Sequence, residues 1–425
     1  MSEETQRAAT PIKSVSGWRI LAALALGLLA GVGASTVGDG WRDPAIRWAS
    51  TIGGVWLDAL KVTVIPLIIA LLVSGIVGGA RAASGSRVAG RSILWFAVVL
   101  TGSAIFGGLM MPILLQAFPL PDGAAEALRT GLAGVDKAAT SASVPTATDF
   151  VRSIVPGNIF AAAAADQILP LTIFTAFFAV AMTKIEPLRR DQLAGFFQSI
   201  EQAMLVMIGW VLWIAPIGVF ALAFALGAGA GGSAFGAVLH YVVLVSTLGI
   251  ILTLVAYLIA AIFAGWSLRD FARAMVPPQA VAISTQSSLA SLPAMVGAAR
   301  KLGLPEENSD VTLPLAVALF RATGPAMNIG VAIYVAYWVG VDLSAWQLAA
   351  GIAMASVASY WAVSLPGQLS FVTSIAPIAL AMGLPVEPLA ILIAVETLPD
   401  IFRTLGNVTM DVAVTGAVGR RRSQD

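Results

Sequence analysis

Long apolar runs separated by short polar connections dominate the first 266 residues of the chain. A helix needs about 20 apolar residues to cross a bilayer, and several runs approach or exceed that length. The runs are continuous and rich in Leu, Ala and Ile, whereas the strands of a membrane β-barrel alternate in polarity, so the pattern predicts helices. Clear examples are Ile20–Val37, Trp95–Phe118, Met204–Leu226 and Val238–Ala264.

The apolar pattern divides this first part into six predicted membrane spans. The first span follows a polar segment, and we interpret it as an uncleaved helix rather than a signal peptide because many further spans follow it. The fourth span is long and contains Pro156, Gly157 and Pro170, so we expect it to be broken into pieces. The spans cover residues 18–38, 52–80, 92–118, 150–183, 196–226 and 234–264.

The pattern changes at residue 267, after which short apolar stretches are interrupted by Pro, Gly, Ser and Thr. Two of these stretches, Ile283–Gly297 and Ser356–Ala376, each contain the tripeptide Ser-Leu-Pro. Longer segments with internal polar residues follow them, Val311–Val339 and Pro388–Val418. The tripeptide alone could recur by chance, but the following helices make a twofold pattern of hairpin plus helix. Such paired, interrupted segments are typical of the binding site of a secondary transporter.

Polar side chains line one face of the last predicted helix. At about 100° per residue they fall within an arc of roughly 100°, and Glu396 falls in the same arc. An unpaired ionised group at mid-membrane costs at least about 2.5–3.5 kcal/mol, so we expect this face to meet protein or water and to serve function. The alternatives are a buried ion-pair network that only locks helices together and, for the last acid, a position at the membrane surface. The polar residues on this face of the last predicted helix are Asp400, Arg403, Thr404, Asn407 and Asp411.

These side chains suit a small acidic solute and a cation. The Arg403 guanidinium can hold a carboxylate through two parallel hydrogen bonds, and Asp400 can pair with an ammonium group. Thr404 and Asn407 add neutral hydrogen bonds. Asp411, together with Asn407, offers hard oxygen ligands for Na⁺ or another small cation.

A second polar stretch, Arg321–Gly330, lies inside another predicted span. Gly324-Pro325 and Gly330 should interrupt the helix there. The freed backbone carbonyls would be typical cation ligands in a protein-lined cavity, whereas the alternative is a simple proline kink.

The polar turn in Ile283–Pro293 offers a third group of ligands. The hydroxyls and backbone amides of Ser287 and Ser288 could contact a carboxylate, although Ser-rich stretches are usually plain turns.

Composition narrows the function classes. Hydrophobic residues make up 58% of the chain and charged residues only 11%, well below the roughly 25% of soluble domains. There is no Cys, which excludes disulfides and Cys-ligated metals. A single His, His240, excludes multi-His metal sites and leaves little scope for a Ser–His hydrolase, so we interpret it as a packing or pore-lining residue. We find no nucleophile–base pair, and we expect a protein that is not an enzyme.

Charge placement predicts the topology. Positive residues cluster in several connections and at the C-terminal end, whereas Pro119–Asp149 is acidic or mixed and Gly227–Gly236 is uncharged. Because positive loops stay on the cytoplasmic side, we expect both termini to be cytoplasmic. The positive clusters are Arg81–Arg91, Lys184–Arg190, Arg269–Arg273, Arg300–Lys301 and Arg420–Arg422.

These motifs together resemble the dicarboxylate/amino acid:cation symporters (sodium:dicarboxylate symporters), a family that includes the glutamate transporters. The resemblance covers nearly the whole chain, and its last motif is highly specific. The motifs are Ile154–Phe160, Gln167–Pro170, Ala215–Leu222, Ser287–Pro293, Leu365–Gly367 and Asp400–Asp411.

The resemblance implies an all-α fold of eight transmembrane helices plus two re-entrant helical hairpins, built from inverted repeats and working as an elevator. It implies a cytoplasmic N-terminal tail at 1–17 and a mainly scaffold and trimerisation region at 18–266, of which spans 3 and 6 join the transport domain. The transport core would be 267–418, comprising hairpin 1, span 7, hairpin 2 and span 8. A cytoplasmic C-terminal tail would follow at 419–425, and the assembly would be a homotrimer.

The resemblance also implies roles for individual residues. Arg403 would bind a side-chain carboxylate and Asp400 the amino group of the substrate. The remaining implied substrate contacts are Thr404, Asn407, Gln286, Ser287 and Ser288; the cation ligands are Asn328, Asn407 and Asp411; and the gate at the tip of the second hairpin is Leu365, Pro366 and Gly367.

The chain departs from the family pattern in four places. Gln286 stands where the family often has Arg or Ser, and the gate tip has fewer glycines than usual. The family signature Asn-Met-Asp-Gly is replaced by Met327-Asn-Ile-Gly330, so that Ile329 stands for the expected Asp. The stretch before it contains Arg321, which could act as a tethered cation in place of a coupling ion or bind a second carboxylate. Alternatively, Arg321 pairs with the scaffold or the membrane surface.

The sequence thus predicts a secondary active symporter of the inner membrane that takes up aspartate or glutamate with Na⁺ and/or H⁺. Protonation of Glu396 or Asp400 in a low-dielectric site would permit proton coupling. The alternatives are a C4-dicarboxylate:cation symporter, for which Arg321 and Arg403 would supply two positive charges, and an ion channel. We expect no cofactor besides the coupling cation, membrane lipid as a partner, and no nucleic acid.

Overall fold

The computed structural model describes residues 17–35, 39–85, 87–120, 157–165, 168–230, 233–360 and 367–419. These residues form helices and short turns, with no strand among them. The all-helical architecture predicted from the apolar pattern is therefore confirmed. Both predicted tails lie almost entirely outside the described residues.

The first part of the chain contains eight described helices. They are α1 (Gly17–Ser35), α2 (Asp39–Gly85), α3 (Arg87–Ala117), α4 (Ile159–Ala164), α5 (Ile168–Met182), α6 (Pro187–Trp213), α7 (Ala215–Ala230) and α8 (Ser233–Ile259). A π-helical turn at Ala260–Ala264 extends α8.

Two of the predicted spans are divided in the structure. The fourth, as expected, is broken, with the described part forming α4 and α5. The fifth, predicted as a single span over 196–226, consists instead of α6 and α7, which are separated at Ile214. Pro216 lies in the first turn of α7. A backbone N–H at that position has no hydrogen-bond acceptor within the helix, so proline is tolerated there.

The second part contains two packed helix pairs, each followed by an interrupted helix. Only Gln286 and Ser287 separate the first pair, and the helices of each pair contact each other. The elements are α9 (Leu268–Thr285), α10 (Ser288–Lys301), α11 (Glu306–Leu319), α12 (Gly324–Val339), α13 (Ala345–Ala358), α14 (Gly367–Ala381), α15 (Leu389–Leu392) and α16 (Thr397–Gly419).

One helix interruption lies where the sequence predicts it and one predicted interruption is absent. The helix is interrupted at residues 320–323, the break between α11 and α12. Gly324-Pro325 forms the first turn of α12, a position that proline favours. Gly330 does not interrupt α12, contrary to the prediction. A side chain at Gly330 would collide with Leu248 of α8, so this glycine permits close helix packing instead.

The helices pack as two groups. α1 packs along α7, and α2 packs against α5, α6 and α7. α16 packs against α8, α9, α10 and α11, while α12 packs against α3. As a result α16 is buried on nearly all sides, although it carries most of the ionised residues of the predicted site.

Four helical segments of the described residues are long and apolar enough to cross a membrane. Large apolar side chains such as Trp48 and Phe177 are exposed on the outer surface, which suits a lipid environment. The four segments are Arg87–Ala117, Pro187–Trp213, Phe235–Ala264 and Asn308–Val339.

Candidate functional site

Helix α16 places the predicted polar arc inside the protein. Asp411 is only 1% exposed and Arg403 only 5%, so neither reaches the outer surface. Asp411 therefore does not extend from the outer surface of the protein. The buried side chains of the arc are Asp400, Arg403, Thr404, Asn407 and Asp411.

The Arg403 guanidinium is held by two carboxylates through a single nitrogen. Its Nη1 atom donates to Glu396 Oε1 and, at 3.1 Å, to Asp400 Oδ1. The second oxygen of Glu396, Oε2, accepts a hydrogen bond of 3.1 Å from the hydroxyl of Tyr241 on α8. Glu396 is fully buried in the turn before α16, so its contacts fix the orientation of the Arg403 guanidinium.

The opposite edge of the Arg403 guanidinium is buried and lacks hydrogen-bond partners within the described part of the chain. Its Nε and Nη2 atoms are buried and find no hydrogen-bond partner among the described residues. These two N–H groups form one fork, which matches the two oxygens of a carboxylate. Leaving charged donors buried and unsatisfied costs at least about 1–3 kcal/mol, so a bound carboxylate would relieve a real deficit.

Thr323 ties the break between α11 and α12 to α16. Its backbone N–H donates to Asn407 Oδ1 at 2.9 Å, and its hydroxyl lies 2.8 Å from both that oxygen and the carbonyl oxygen of Arg403. The break at Phe320–Thr323 is therefore held one helical turn away from Asp411. The same contacts occupy most of the acceptor capacity of the Asn407 side-chain oxygen.

Asp411 is a buried carboxylate that accepts no hydrogen bond from the part of the chain that the structure describes. Both of its oxygens are enclosed and find no hydrogen-bond partner among the described residues. The side chain of Arg321, which lies in the break before α12, interacts with it electrostatically. Arg321 also lies in the field of Asp400 and Arg403, so the structure does bring this arginine to the predicted site.

Asn328 lies in the second turn of α12 and is buried. Three side-chain atoms lie 3.6–4.0 Å from the position that a Cβ atom of Gly324 would occupy. They are Arg321 Cβ, Asn328 Nδ2 and Ser359 Oγ. The polar groups nearest to Gly324 in the first turn of α12 are thus the amide of Asn328 and, after the end of α13, the hydroxyl of Ser359.

The tip of the first helix pair lies against the start of α16. Gln286 adopts a left-handed backbone conformation (φ 50°) and its Nε2 atom donates to the carbonyl oxygen of Thr397 at 3.4 Å. Ser287 caps α10 by accepting a hydrogen bond of 3.2 Å from the N–H of Ala290. Ser288 is the first residue of α10, and all three tip residues are half-buried. The positive end of the α10 dipole consequently lies at this tip, where it would favour an anion.

The predicted gate falls largely outside the described residues. Leu365 and Pro366 belong to the segment that is not described, and Gly367 begins α14. The gate therefore stays a prediction.

His240 contacts protein at both ring nitrogens. Its Nε2 atom lies 2.8 Å from the carbonyl oxygen of Phe118, and its Nδ1 atom lies 3.1 Å from the hydroxyl of Tyr334. These contacts join α3, α8 and α12, which agrees with the packing alternative of the predicted packing or pore-lining role.

Three residues of the site were not among the predicted ligands. Glu396 shares the helical arc, but only the structure reveals it as a partner of Arg403. Tyr241 lies in an apolar run with no local signal, and Thr323 is distinguished only by its place just before Gly324-Pro325. Both act through contacts with distant parts of the chain.

Comparison with known proteins places this geometry in context. The model of the sodium:dicarboxylate symporter family matches residues 17–421. The proton/glutamate-aspartate symporter of Escherichia coli (strain K12) is 28% identical, over 93% of this chain and 90% of that protein. The proton/sodium-glutamate symport protein of Bacillus subtilis (strain 168) is 27% identical, over 90% and 88%. The C4-dicarboxylate transport protein of Laribacter hongkongensis (strain HLHK9) is 25% identical, over 87% and 82%.

Proposed function

Because the chain belongs to the sodium:dicarboxylate symporter family, a family of transporters rather than enzymes, we propose that it takes up an acidic amino acid together with Na⁺ and/or H⁺. It is a multi-pass membrane protein. The observation that carries the proposal is the buried edge of Arg403, whose Nε and Nη2 atoms have no hydrogen-bond partner among the described residues, beside the carboxylate of Asp400. This pair of charges matches a molecule that bears both a carboxylate and an ammonium group.

Each polar group of the site has a place in this proposal. The Nε and Nη2 atoms of Arg403 bind the side-chain carboxylate of aspartate or glutamate, and Asp400 binds the ammonium group. Thr404 and the amide of Asn407 hydrogen-bond the rest of the molecule. The tip of the first helix pair, Gln286 to Ser288, closes over the α-carboxylate with the N-terminal end of α10.

Charge counting supports coupling to a cation. Two guanidinium groups, Arg321 and Arg403, face three carboxylates, Glu396, Asp400 and Asp411, so the fully ionised site carries one net negative charge. An acidic amino acid adds a second negative charge in an environment where ions are poorly solvated. Accompanying Na⁺ or H⁺ offsets that charge, and Glu396, in contact with the substrate arginine, is the group best placed to carry a proton.

The predicted cation ligands Asn328, Asn407 and Asp411 are the candidates for a Na⁺ site. The two unbonded oxygens of Asp411 favour a positively charged partner. The oxygen of Asn407, in contrast, already accepts from Thr323.

A C4-dicarboxylate is the second candidate substrate. Arg321 would supply a second positive charge, and one of the relatives carries a C4-dicarboxylate transport name. Asp400 argues against this candidate, because its carboxylate would repel a substrate that has no ammonium group. An ion channel is the third candidate, and it differs in conducting without saturable, coupled exchange.

The architecture fits an elevator in the inner membrane. The packing of α3 and α8 on α12 and α16 supports a moving core made of residues 267–418 and these two helices. The rest of 18–266, including the α1–α7 pair, would form the scaffold and the homotrimer contact. In this proposal the helix pairs are re-entrant hairpins, the tip at Leu365–Gly367 is the gate, and both termini are cytoplasmic.

Uptake into proteoliposomes tests the proposal. Radiolabelled aspartate and succinate are offered separately, with an imposed Na⁺ gradient or an imposed proton gradient. We expect saturable aspartate uptake driven by at least one gradient, strongly reduced in Arg403→Lys because Lys cannot form the bidentate fork. Arg300→Ala, which removes an exposed arginine paired with Glu306, is the matched control.

Other outcomes would redirect the proposal. Uptake of succinate but not aspartate would favour the C4-dicarboxylate symporter. Solute-independent conductance without concentrative uptake would favour the channel. Unchanged aspartate uptake in Arg403→Lys would remove the guanidinium from the binding site.

A further inference from the structure

We propose that a cavity between α2 and α6 on one side and α10 and α11 on the other binds a small organic cation with an apolar body, and that the bound cation inhibits transport. The inhibition rests on the proposed function, since it follows from movement of the proposed core against the proposed scaffold. Three features of the cavity support the binding: its size, its apolar walls and one carboxylate among them.

The cavity has a volume of about 380 Å³. Pockets that hold small molecules have volumes of about 300–1,000 Å³ and mostly apolar walls with a few polar groups, and this cavity meets both conditions. A small organic molecule can therefore be accommodated between the four helices. The main apolar wall residues are Leu71 of α2, Leu289 and Leu292 of α10, and Pro314, Val317 and Leu319 of α11.

Glu201 of α6 is the only residue with a charged side chain among the described residues that line the cavity. It is half-buried, and no described Lys, Arg or His forms an ion pair with it. Glu186, just before the same helix, pairs with Arg189, and Glu306 of α11 pairs with Arg300. A half-buried carboxylate in an apolar cavity is poorly solvated, so the ammonium group of a ligand would be a favourable partner for Glu201.

Two further side chains suit an ammonium group. Ser74 of α2 lies beside Glu201, so its hydroxyl oxygen can accept a second hydrogen bond from the ammonium nitrogen. Tyr360, which follows α13, brings an aromatic ring to the same cavity, and such a ring attracts cations as well as apolar groups. The carboxylate of Glu201 would repel aspartate or glutamate, so the cavity is not a second site for the proposed substrate.

The position of the cavity predicts the effect of a ligand. Helices α2 and α6 belong to the proposed scaffold, whereas α10 and α11 belong to the proposed moving core. A molecule that contacts all four helices stabilises the arrangement in which they enclose it, and it thereby opposes displacement of the core. Arg403 and Asp400 are not among the residues that line the cavity, so the ligand and the substrate occupy different places.

Thermal melting of the purified full-length protein in detergent tests the binding without any transported solute. The probe is naphthylmethylamine, and the control ligand is naphthylmethanol, which has nearly the same shape but no charge. We expect the amine to raise the melting temperature by several degrees and the alcohol to raise it much less. Glu201→Gln should abolish the response to the amine, whereas Glu186→Gln, which removes an exposed carboxylate just before α6, should keep it.

A cavity-filling variant keeps the binding test decisive if Glu201→Gln does not fold. Ala318 lines the cavity from an exposed position of α11, so Ala318→Phe should occupy the space of the ligand and also abolish the response to the amine. The proposed site would be overturned by the lack of a rise with the amine, by an equal rise with the alcohol, or by a full response to the amine in either variant.

Uptake into proteoliposomes tests the inhibition. We expect the amine to lower the maximum rate of aspartate uptake in the wild type but not in Glu201→Gln, and excess aspartate should not restore the rate. Restoration by aspartate would show competition at the substrate site and would contradict inhibition from the separate cavity. Failure of the proposed function would be recognised separately, since it would abolish uptake in the absence of the amine and leave the melting results unchanged.

Discussion

Tyr241 and Glu396 lie 155 residues apart in the chain and are joined by a hydrogen bond of 3.1 Å from the phenol hydroxyl to a carboxylate oxygen. The bond fastens α8 to the turn that precedes α16. It also directs the other oxygen of Glu396 toward Arg403. Arg403 is thus positioned by a helix that contributes no predicted ligand.

Tyr241→Phe tests this support. The substitution removes one donor to a buried carboxylate, which is worth about 1.5–3 kcal/mol for a charged acceptor. We expect about a ten-fold or greater rise in the KM for aspartate uptake. Tyr337→Phe, on an exposed position of α12, should leave the KM unchanged. An unaltered KM in Tyr241→Phe would mean that Arg403 is positioned without this bond.

Glu396→Gln tests the proton-carrying role. The amide of glutamine keeps the shape of the side chain but cannot carry a proton as a carboxylate does. We expect aspartate uptake by the variant to vary much less with external pH than uptake by the wild type. His240→Gln removes the single histidine of the chain, and it should keep the wild-type pH profile. A flat profile in the His240 variant, with a normal one in Glu396→Gln, would contradict the assignment.

Thr323→Val tests the attachment of the break to α16. The isosteric valine keeps the backbone N–H bond to Asn407 but loses the hydroxyl contacts to Asn407 and Arg403. We expect a loss of about 1–2 kcal/mol in the free energy of unfolding, visible as a lower melting temperature. Thr247→Val removes a hydroxyl that bonds only locally on α8 and should shift the melting temperature far less.

Gly107→Ala tests the contact between α3 and α12. A Cβ atom at Gly107 would overlap the backbone of Ala326, which cannot move aside as a side chain can. Overpacking of this kind costs about 1–3 kcal/mol, so we expect reduced thermal stability and reduced uptake. Gly102→Ala, on the same helix but facing open space, is the control and should be neutral or slightly stabilising. Equal effects of the two substitutions would indicate a general intolerance of α3 rather than a packing clash.

The sequence predicts best what depends on local geometry. The arc from Asp400 to Asp411 follows from the helical repeat alone, and the structure buries that arc as expected. The start of α12 follows from Gly324-Pro325, because proline is restricted by its own ring. The predicted interruption at Gly330 is wrong. A glycine in a helix can indicate either an interruption or a closely packed neighbour, and only the position of Leu248 decides between the two.

What the sequence could not provide is the pairing of distant side chains. The contacts of Tyr241 with Glu396 and of Thr323 with Asn407 span 155 and 84 residues, and no periodicity encodes them. The unbonded oxygens of Asp411 are equally invisible in a sequence, since the absence of a donor is a property of the packed interior. These long-range contacts turn a row of polar residues into a site in which Arg403 keeps two buried N–H groups with no hydrogen-bond partner among the described residues.

The glycine contacts between α1 and α7 bear on how the protein is made. A Cβ atom at Gly27 would lie only 2.6 Å from the carbonyl oxygen of Phe220, so the two helices meet backbone to backbone. Translation releases α1 into the bilayer long before the ribosome reaches α7, roughly half the chain later. During that interval the glycine face of α1 cannot pack against α7. The contact can form only after the intervening helices have been inserted. We therefore expect the biogenesis of this transporter to include a late docking step in which its first helix packs against α7.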